Sequence, residues 1–394
     1  MTEEVKHVLG ISGGKDSAAL ALYLNKLYSK DVLPIEYYTC DTGRELAETY
    51  VLIEQLEHEL QQPIKKYQDK NYRSTNEENP FDYFWKRYGG FLPAQNARWC
   101  TKNLKLAPFE AEIGDSLAIS YVGIRGDEDR EGYISTRPNI QSIFPFRKNI
   151  WSVDVIKKVL SNDNVENLAK YYKEHITSNE SFEKVMDLVN KSISLSYSIN
   201  QKLNDLLDIN VKTFNKVVFE WLKTTEYPVG KLDYFPLVEN DDILVRQDIF
   251  NLIEESNVDL PNYYLPREYE IDGEKGKYFR SRSGCFFCFY QQKIEWVWLM
   301  EQHPALFEEA KKYEKDGYSW IQGESLEQLS NPERVKSIKR EHLKRMKRRY
   351  ENLQTKTSWQ DEILGIKKNN NTSDPSWLDE LLDAEGDGCA SCFI

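Results

Sequence analysis

The chain has 394 residues, 40% hydrophobic and 13% aromatic, with a formal net charge of -12. That is enough apolar material for two or three packed domains, and it excludes a disordered or collagen-like chain. No apolar run approaches the roughly 20 residues that span a bilayer, and the opening MTEEVKH is too charged for a signal peptide. A cytoplasmic protein without membrane attachment is therefore expected.

VKHVLGIS (5–12) reads as a buried strand, and 15–29 repeats apolar residues at helical spacing through Ala19, Leu22, Tyr23 and Leu27. A second strand (33–39) ends at Cys40-Asp41-Thr42-Gly43, and 44–60 is again helical through Leu46, Tyr50, Ile53, Leu56 and Leu60. Residues 64–68 read as a third strand and 117–124 as a fourth. This alternation predicts a parallel sheet with helices on both faces, whose ligands collect at the carboxyl ends of the strands. Three of the strands end in polar clusters, at 12–17, 40–45 and 123–130, so one edge of the domain at 1–150 is expected to carry a site. Long helical runs without a strand follow from Trp151, giving a helical insertion at 151–235. The first fold resumes over 236–330, with a C-x-x-C and a long aromatic helix after it. A basic helix (331–368) and an acidic tail (369–394) end the chain. Residues 334–350 hold nine Lys or Arg against one Glu, and 374–387 hold six acids and no base. Such a helix either tracks a nucleic-acid backbone or pairs with the tail.

Ser12-Gly13-Gly14-Lys15-Asp16-Ser17 lacks Walker A spacing. It nevertheless sets successive N–H groups, hydroxyls and an ammonium at a helix amino end, which suits phosphate. Asp16 and Asp41 are candidates to hold Mg2+ or water beside the phosphates, with helix capping the competing role for Asp16. Arg125 and Arg130 are placed to clamp phosphate oxygens, and Asp127 and Glu128 to orient them; a surface salt-bridge network is the alternative. Six cysteines include the pairs Cys285/Cys288 and Cys389/Cys392, a usage that points to metal or redox chemistry over disulfides. Cys40 suits a small buried apolar residue equally well. Trp296 and Trp298 recur at a spacing expected of core.

SGGKDS resembles the pyrophosphate-binding PP-loop of the ATP pyrophosphatases, which cleave ATP between the α and β phosphates. The segments Cys40 to Glu45, Arg98-Trp99-Cys100-Thr101 with Leu104-Lys105, Gly123 to Glu128, and Ser283 to Cys288 resemble those of the phosphoadenosine phosphosulfate (PAPS) reductase branch, over 5–150 and 236–315. The resemblance implies an α/β fold of the adenine-nucleotide alpha hydrolase kind. It implies ATP held by Ser12, Gly13, Gly14, Lys15, Asp16, Ser17, Asp41, Thr42, Gly43, Gly123, Arg125, Asp127, Glu128 and Arg130, with Lys15, Asp16, Asp41 and Arg125 in the chemistry. It places Cys100 near Cys285 and Cys288, a set of three thiolates for which a [4Fe-4S] cluster is preferred over zinc, because sulfur-transferring relatives carry one. Cys40, a tail cysteine or external sulfur is left for the remaining position.

That branch includes sulfonucleotide reductases and DNA-phosphorothioation sulfurtransferases of the DndC and SspD kind. The Glu-Cys-Gly-Leu-His tail of the reductases is missing here. The expected activity is therefore adenylation of an oxygen, foremost a DNA backbone phosphate, followed by sulfur insertion. DNA, a cysteine desulfurase and other modification-complex subunits are the partners this implies. A PAPS or APS reductase and a non-catalytic ATP-sensing subunit are the alternatives.

Overall fold

The computed structural model describes residues 4–73, 75, 79–128, 134–176, 179–315 and 317–364. Arg130, the acidic tail and the Cys389/Cys392 pair lie outside the described residues. Strands β1 (Lys6–Gly10), β2 (Ile35–Thr39), β3 (Lys65–Lys66), β4 (Ala118–Tyr121) and β5 (Ile140–Ile143) form one parallel sheet in the order β3-β2-β1-β4-β5. This is the expected α/β architecture. The chain order reverses around β1, so the loops after β1 and β4 open the crevice in which such sheets bind ligands.

Side-chain alternation explains why the central strands are apolar throughout. Leu9, Tyr37, Ile119, Tyr121 and Ile143 enter the core on one face, while Val8, Tyr38, Ala118 and Ile140 enter another on the opposite face. Helix α1 (Lys15–Leu27) is buried at every residue from Lys15 to Leu24. Its Ala- and Leu-rich sequence thus serves a helix enclosed on all sides and shows no narrow apolar stripe. Helix α2 (Ala47–Leu60) follows β2 and buries Leu52, Leu56 and Leu60.

The helical run after Trp151 forms as expected, with helices Val165–His175, Asn179–Asn190, Ile199–Ile209 and Val211–Leu222. Leu168, Val189, Leu206 and Phe214 bury in the same core as β1, β4 and α1, so these helices extend the sheet domain's own core. Three expectations change. The third strand shrinks from 64–68 to two residues; β5 was not foreseen; and a hairpin of β6 (Arg267–Ile271) and β7 (Glu274–Tyr278) turns at Asp272 and Gly273, both with positive φ. The aromatic helix is also broken, into Lys293–Gln302 and Pro304–Lys311, because Pro304 has no N–H to continue the ladder.

A second, aromatic core covers the carboxyl edge of the sheet, built from Phe81, Trp99, Phe286, Phe287, Trp296, Trp298, Tyr313 and Trp320 among others. Phe287 stacks on Trp320 at 4.7 Å. Trp296 and Trp298 are core, as their spacing indicates. No helix among the described residues is long and apolar enough to cross a membrane.

Candidate nucleotide and thiol site

The loop between β1 and α1 is tied by the Ser17 hydroxyl. Its Oγ donates to the Gly14 carbonyl at 3.1 Å and accepts from the Ser12 N–H at 3.2 Å, with Ser12 Oγ 3.1 Å away. Gly14 caps α1 without a side-chain hydrogen bond. The absent side chains have a reason internal to the protein. Gly13 has φ +72° and a Cβ there would stand 2.1 Å from Thr49 Cγ2; at Gly14 it would stand 2.8 Å from Ser283 Oγ; at Gly123, after β4, 2.8 Å from the Asp16 carbonyl oxygen. Three neighbouring segments thus close on the loop.

Lys15 and Asp16 point inward, 1% and 4% exposed. Lys15 Nζ lies 3.1 Å from Asp16 Oδ2 and 5.2 Å from the centre of the Tyr264 ring. Arg125, fully buried, reaches Asp16 Oδ1 at 2.7 Å, Asp127 at 2.9 Å and Glu128 at 2.8 Å. Burial alone would raise the Asp16 carboxyl, but the charges of Lys15 and Arg125 overcome it and hold Asp16 well below the usual carboxylate range. Arg125 is therefore a strut between the β1 and β4 loops, with its charge spent on three carboxylates. Both Asp16 oxygens meet cations.

The segment after β2 forms a second network. Asp41 Oδ1 accepts from the Gly43 N–H and the Tyr50 hydroxyl at 2.8 and 2.9 Å, and Oδ2 lies 3.4 Å from Lys66 Nζ. Glu45, which sequence reasoning did not single out, accepts from Thr42 Oγ1 at 2.7 Å and lies 3.0 Å from the Tyr50 hydroxyl. Burial first, then the Asp41 charge, pushes its carboxyl up. Ser12, Asp41, Glu45, Lys66, Lys105 and Gly284 help line a cavity of about 160 Å³. Whole small ligands occupy roughly 300–1,000 Å³, so this space suits part of a nucleotide.

The cysteine loop lies against both networks. Glu45 and Cys285 form an antiparallel bridge, the Phe286 N–H donates to the Arg44 carbonyl at 2.8 Å, and Cys285 Sγ is 3.1 Å from Thr42 Oγ1. Cys285 also feels the charges of both Cys100 and Cys288. Burial pushes all three up, Cys100 to about 12; without a metal or other electrophile they remain thiols at neutral pH. Among the described residues no group of three or more His, Cys, Asp or Glu is arranged to hold a metal ion. Cys40 is buried, packed in the core on the opposite face of the sheet, with its thiol 3.6 Å from the Lys105 carbonyl oxygen, and it also lines the cavity it shares with Asp41, Glu45 and Gly284.

The basic helix, Pro332–Leu364, is partly neutralised within the chain. Arg334 pairs with Glu324 and Glu341, Lys336 with Glu333, Lys339 with Glu301, Arg340 with Asp272 and Lys347 with Glu274.

The parallel five-stranded sheet with helices around it is consistent with an α/β fold of the PP-loop nucleotide hydrolase kind, and a cysteine loop packs over the carboxyl edge of that sheet. Residues 6–189 match the family model described as "Phosphoadenosine phosphosulfate reductase domain", which supports the PAPS reductase and PP-loop assignment. The match covers a little under half of the chain and ends before Cys285 and Cys288. No curated protein and no solved structure matches.

Proposed function

We propose that the protein is an ATP pyrophosphatase that adenylates a substrate oxygen and delivers sulfur to it from the cysteine loop. The observation that carries this reading is the direct contact between phosphate edge and thiols: Gly14 abuts Ser283, and Thr42 links Glu45 to Cys285. The uncapped amino end of α1 suits the departing pyrophosphate, with Lys15 and the hydroxyls of Ser12 and Ser17 beside it. Adenylation turns the substrate oxygen into part of AMP, a good leaving group, which a sulfur nucleophile then displaces. An iron–sulfur centre on Cys100, Cys285 and Cys288 would supply that sulfur and deprotonate the ligating thiols. A DNA backbone phosphate is the proposed acceptor, with a cysteine desulfurase and further modification-complex subunits as partners.

The test is ATP turnover to AMP and pyrophosphate in the presence of DNA and a desulfurase, with mass spectrometry for phosphorothioate dinucleotides. Turnover that persists in Lys15→Ala would sink the assignment. A sulfonucleotide reductase is the competing reading, favoured by the family match itself; sulfite released from PAPS and thioredoxin without ATP would establish it. A subunit that only senses ATP would bind the nucleotide and release no pyrophosphate.

A further inference from the structure

Arg280 begins the segment that leads into the cysteine loop and has no role in the reading above. It is 1% exposed. Its Nη2 donates to the Cys285 carbonyl at 2.9 Å, its guanidinium carbon lies 6.0 Å from the centre of the Tyr263 ring, and its Nη1 is buried without a hydrogen-bond partner. No carboxylate pairs with it among the described residues. Glu295, the buried acid packed on the next residue, spends Oε1 on Ser281 and Oε2 on the Gln292 N–H. A guanidinium does not shed its proton in a protein, so an uncompensated positive charge stays inside, and such a charge is costly unless an anion meets it. Arg280 thus sits against the backbone of the cysteine loop, and its charge acts on Cys288 as well as on Tyr263 and His303.

We propose that Arg280 anchors a sulfide-type sulfur anion held at Cys100, Cys285 and Cys288, with Nη1–H donating to that sulfur. The proposal rests on the sulfur-delivering reading of these thiols. The anion is a sulfur species and not a phosphate because Nη1 has no access to solvent and Arg280 does not line the phosphate-edge cavity. A sulfur carried by the thiols is already inside. Two sources share this chemistry: a bridging sulfide of an iron–sulfur centre, where N–H donors to sulfur are a known tuning contact, and the terminal sulfur of a cysteine persulfide.

The full-length protein is loaded anaerobically in two arms, ferrous and ferric iron in equal amounts with sulfide, or inorganic polysulfide alone. In the second arm a cysteine thiol gives its proton to the basic polysulfide in solution and the resulting thiolate attacks a terminal polysulfide sulfur. A new S–S bond forms on the cysteine, the old one breaks, and the shortened polysulfide dianion leaves with the electron pair, so the new terminal sulfur stays anionic. After gel filtration, iron and acid-labile sulfide report the first source and cyanide-reactive sulfur the second. Wild type is expected to retain sulfur in one arm, Arg280→Met at least tenfold less in that arm, and Arg280→Lys an intermediate amount. The sulfur-free Arg280→Met protein should melt no lower than wild type, because an apolar side chain removes the uncompensated charge; an arginine with a merely structural role would lower the melting temperature. Sulfur retention equal to wild type in Arg280→Met, or unfolding of that variant, overturns the role of Arg280 alone. No sulfur on wild type in either arm overturns the thiol reading with it.

Discussion

Buried charge is handled in opposite ways on the two sides of the site. At the sheet edge Arg125 meets Asp16, Asp127 and Glu128, and Lys15 meets Asp16; in the cysteine layer Arg280 meets no carboxylate. The first arrangement completes itself and fixes two loops, so it is a framework. The second is complete only when something negative arrives. The same residue type thus does different work in the two places, and what distinguishes them is whether the protein supplies the counter-charge.

Removing one arginine from each side should break the symmetry hardest. Arg125→Met removes the cation shared by three carboxylates, of which Asp16 keeps only Lys15, and is expected to cost roughly 3–5 kcal/mol of stability, read from urea unfolding, whereas Arg280→Met costs nothing in the sulfur-free protein. Equal destabilisation by the two variants would erase the distinction. The next largest effect tests how tightly the framework closes. Gly13→Ala combines positive φ with the clash against Thr49 Cγ2 and should cost about 1–3 kcal/mol. Thr49→Ser, which deletes that methyl group, should recover part of it in the double variant. Full additivity would mean that the loop yields without touching Thr49.

Much of the framework side was legible in the sequence, as was the trio of Cys100, Cys285 and Cys288, while Arg280 gave no signal, for physical reasons. Apolar runs that stop at glycine and hydroxyl clusters disclose β1, α1, β2 and the carboxyl edge, because close backbone approach leaves a compositional trace. β5 is only IQSI, with Gln141 buried against the Val229 N–H, and gives no such trace. The β6–β7 hairpin did carry one, Asp272-Gly273, a turn pair with positive φ at both residues. Arg125 reads as a phosphate clamp and Arg280 draws no reading, because a sequence shows charge without showing burial. Glu45 was within the right cluster, yet only its contacts with Thr42 and Tyr50 mark it off from a helix-start acid.

Acids on the framework side also differ in sign, which a pH series separates. Asp16 is held below its unfolded value, near 3.9, so its contribution is present above that pH and is lost as pH falls. Glu45 is raised, so the folded state favours its neutral form; its contribution is present below the unfolded value and is lost as pH rises through the folded one. Glu45→Gln should therefore gain stability relative to wild type between pH 4 and pH 8, measured by denaturant midpoints. A constant difference across that range would show that Glu45 is not held neutral.

The smallest effect concerns the basic helix, where paired and unpaired cations again stand side by side. Lys336 and Lys347 have carboxylate partners, while Lys344 and Arg348 have none among the described residues. A cation already neutralised releases few counterions when a phosphate replaces its partner, so only the unpaired ones should register in salt dependence. If DNA lies along this helix, Lys344→Ala with Arg348→Ala should reduce the slope of log affinity against log salt by about 1.8, at about 0.9 per phosphate contact, and Lys336→Ala with Lys347→Ala by much less. Equal reductions would mean that DNA opens the internal pairs on binding. No reduction from either pair would move the DNA contact off this helix and leave its cations to the acids they already meet.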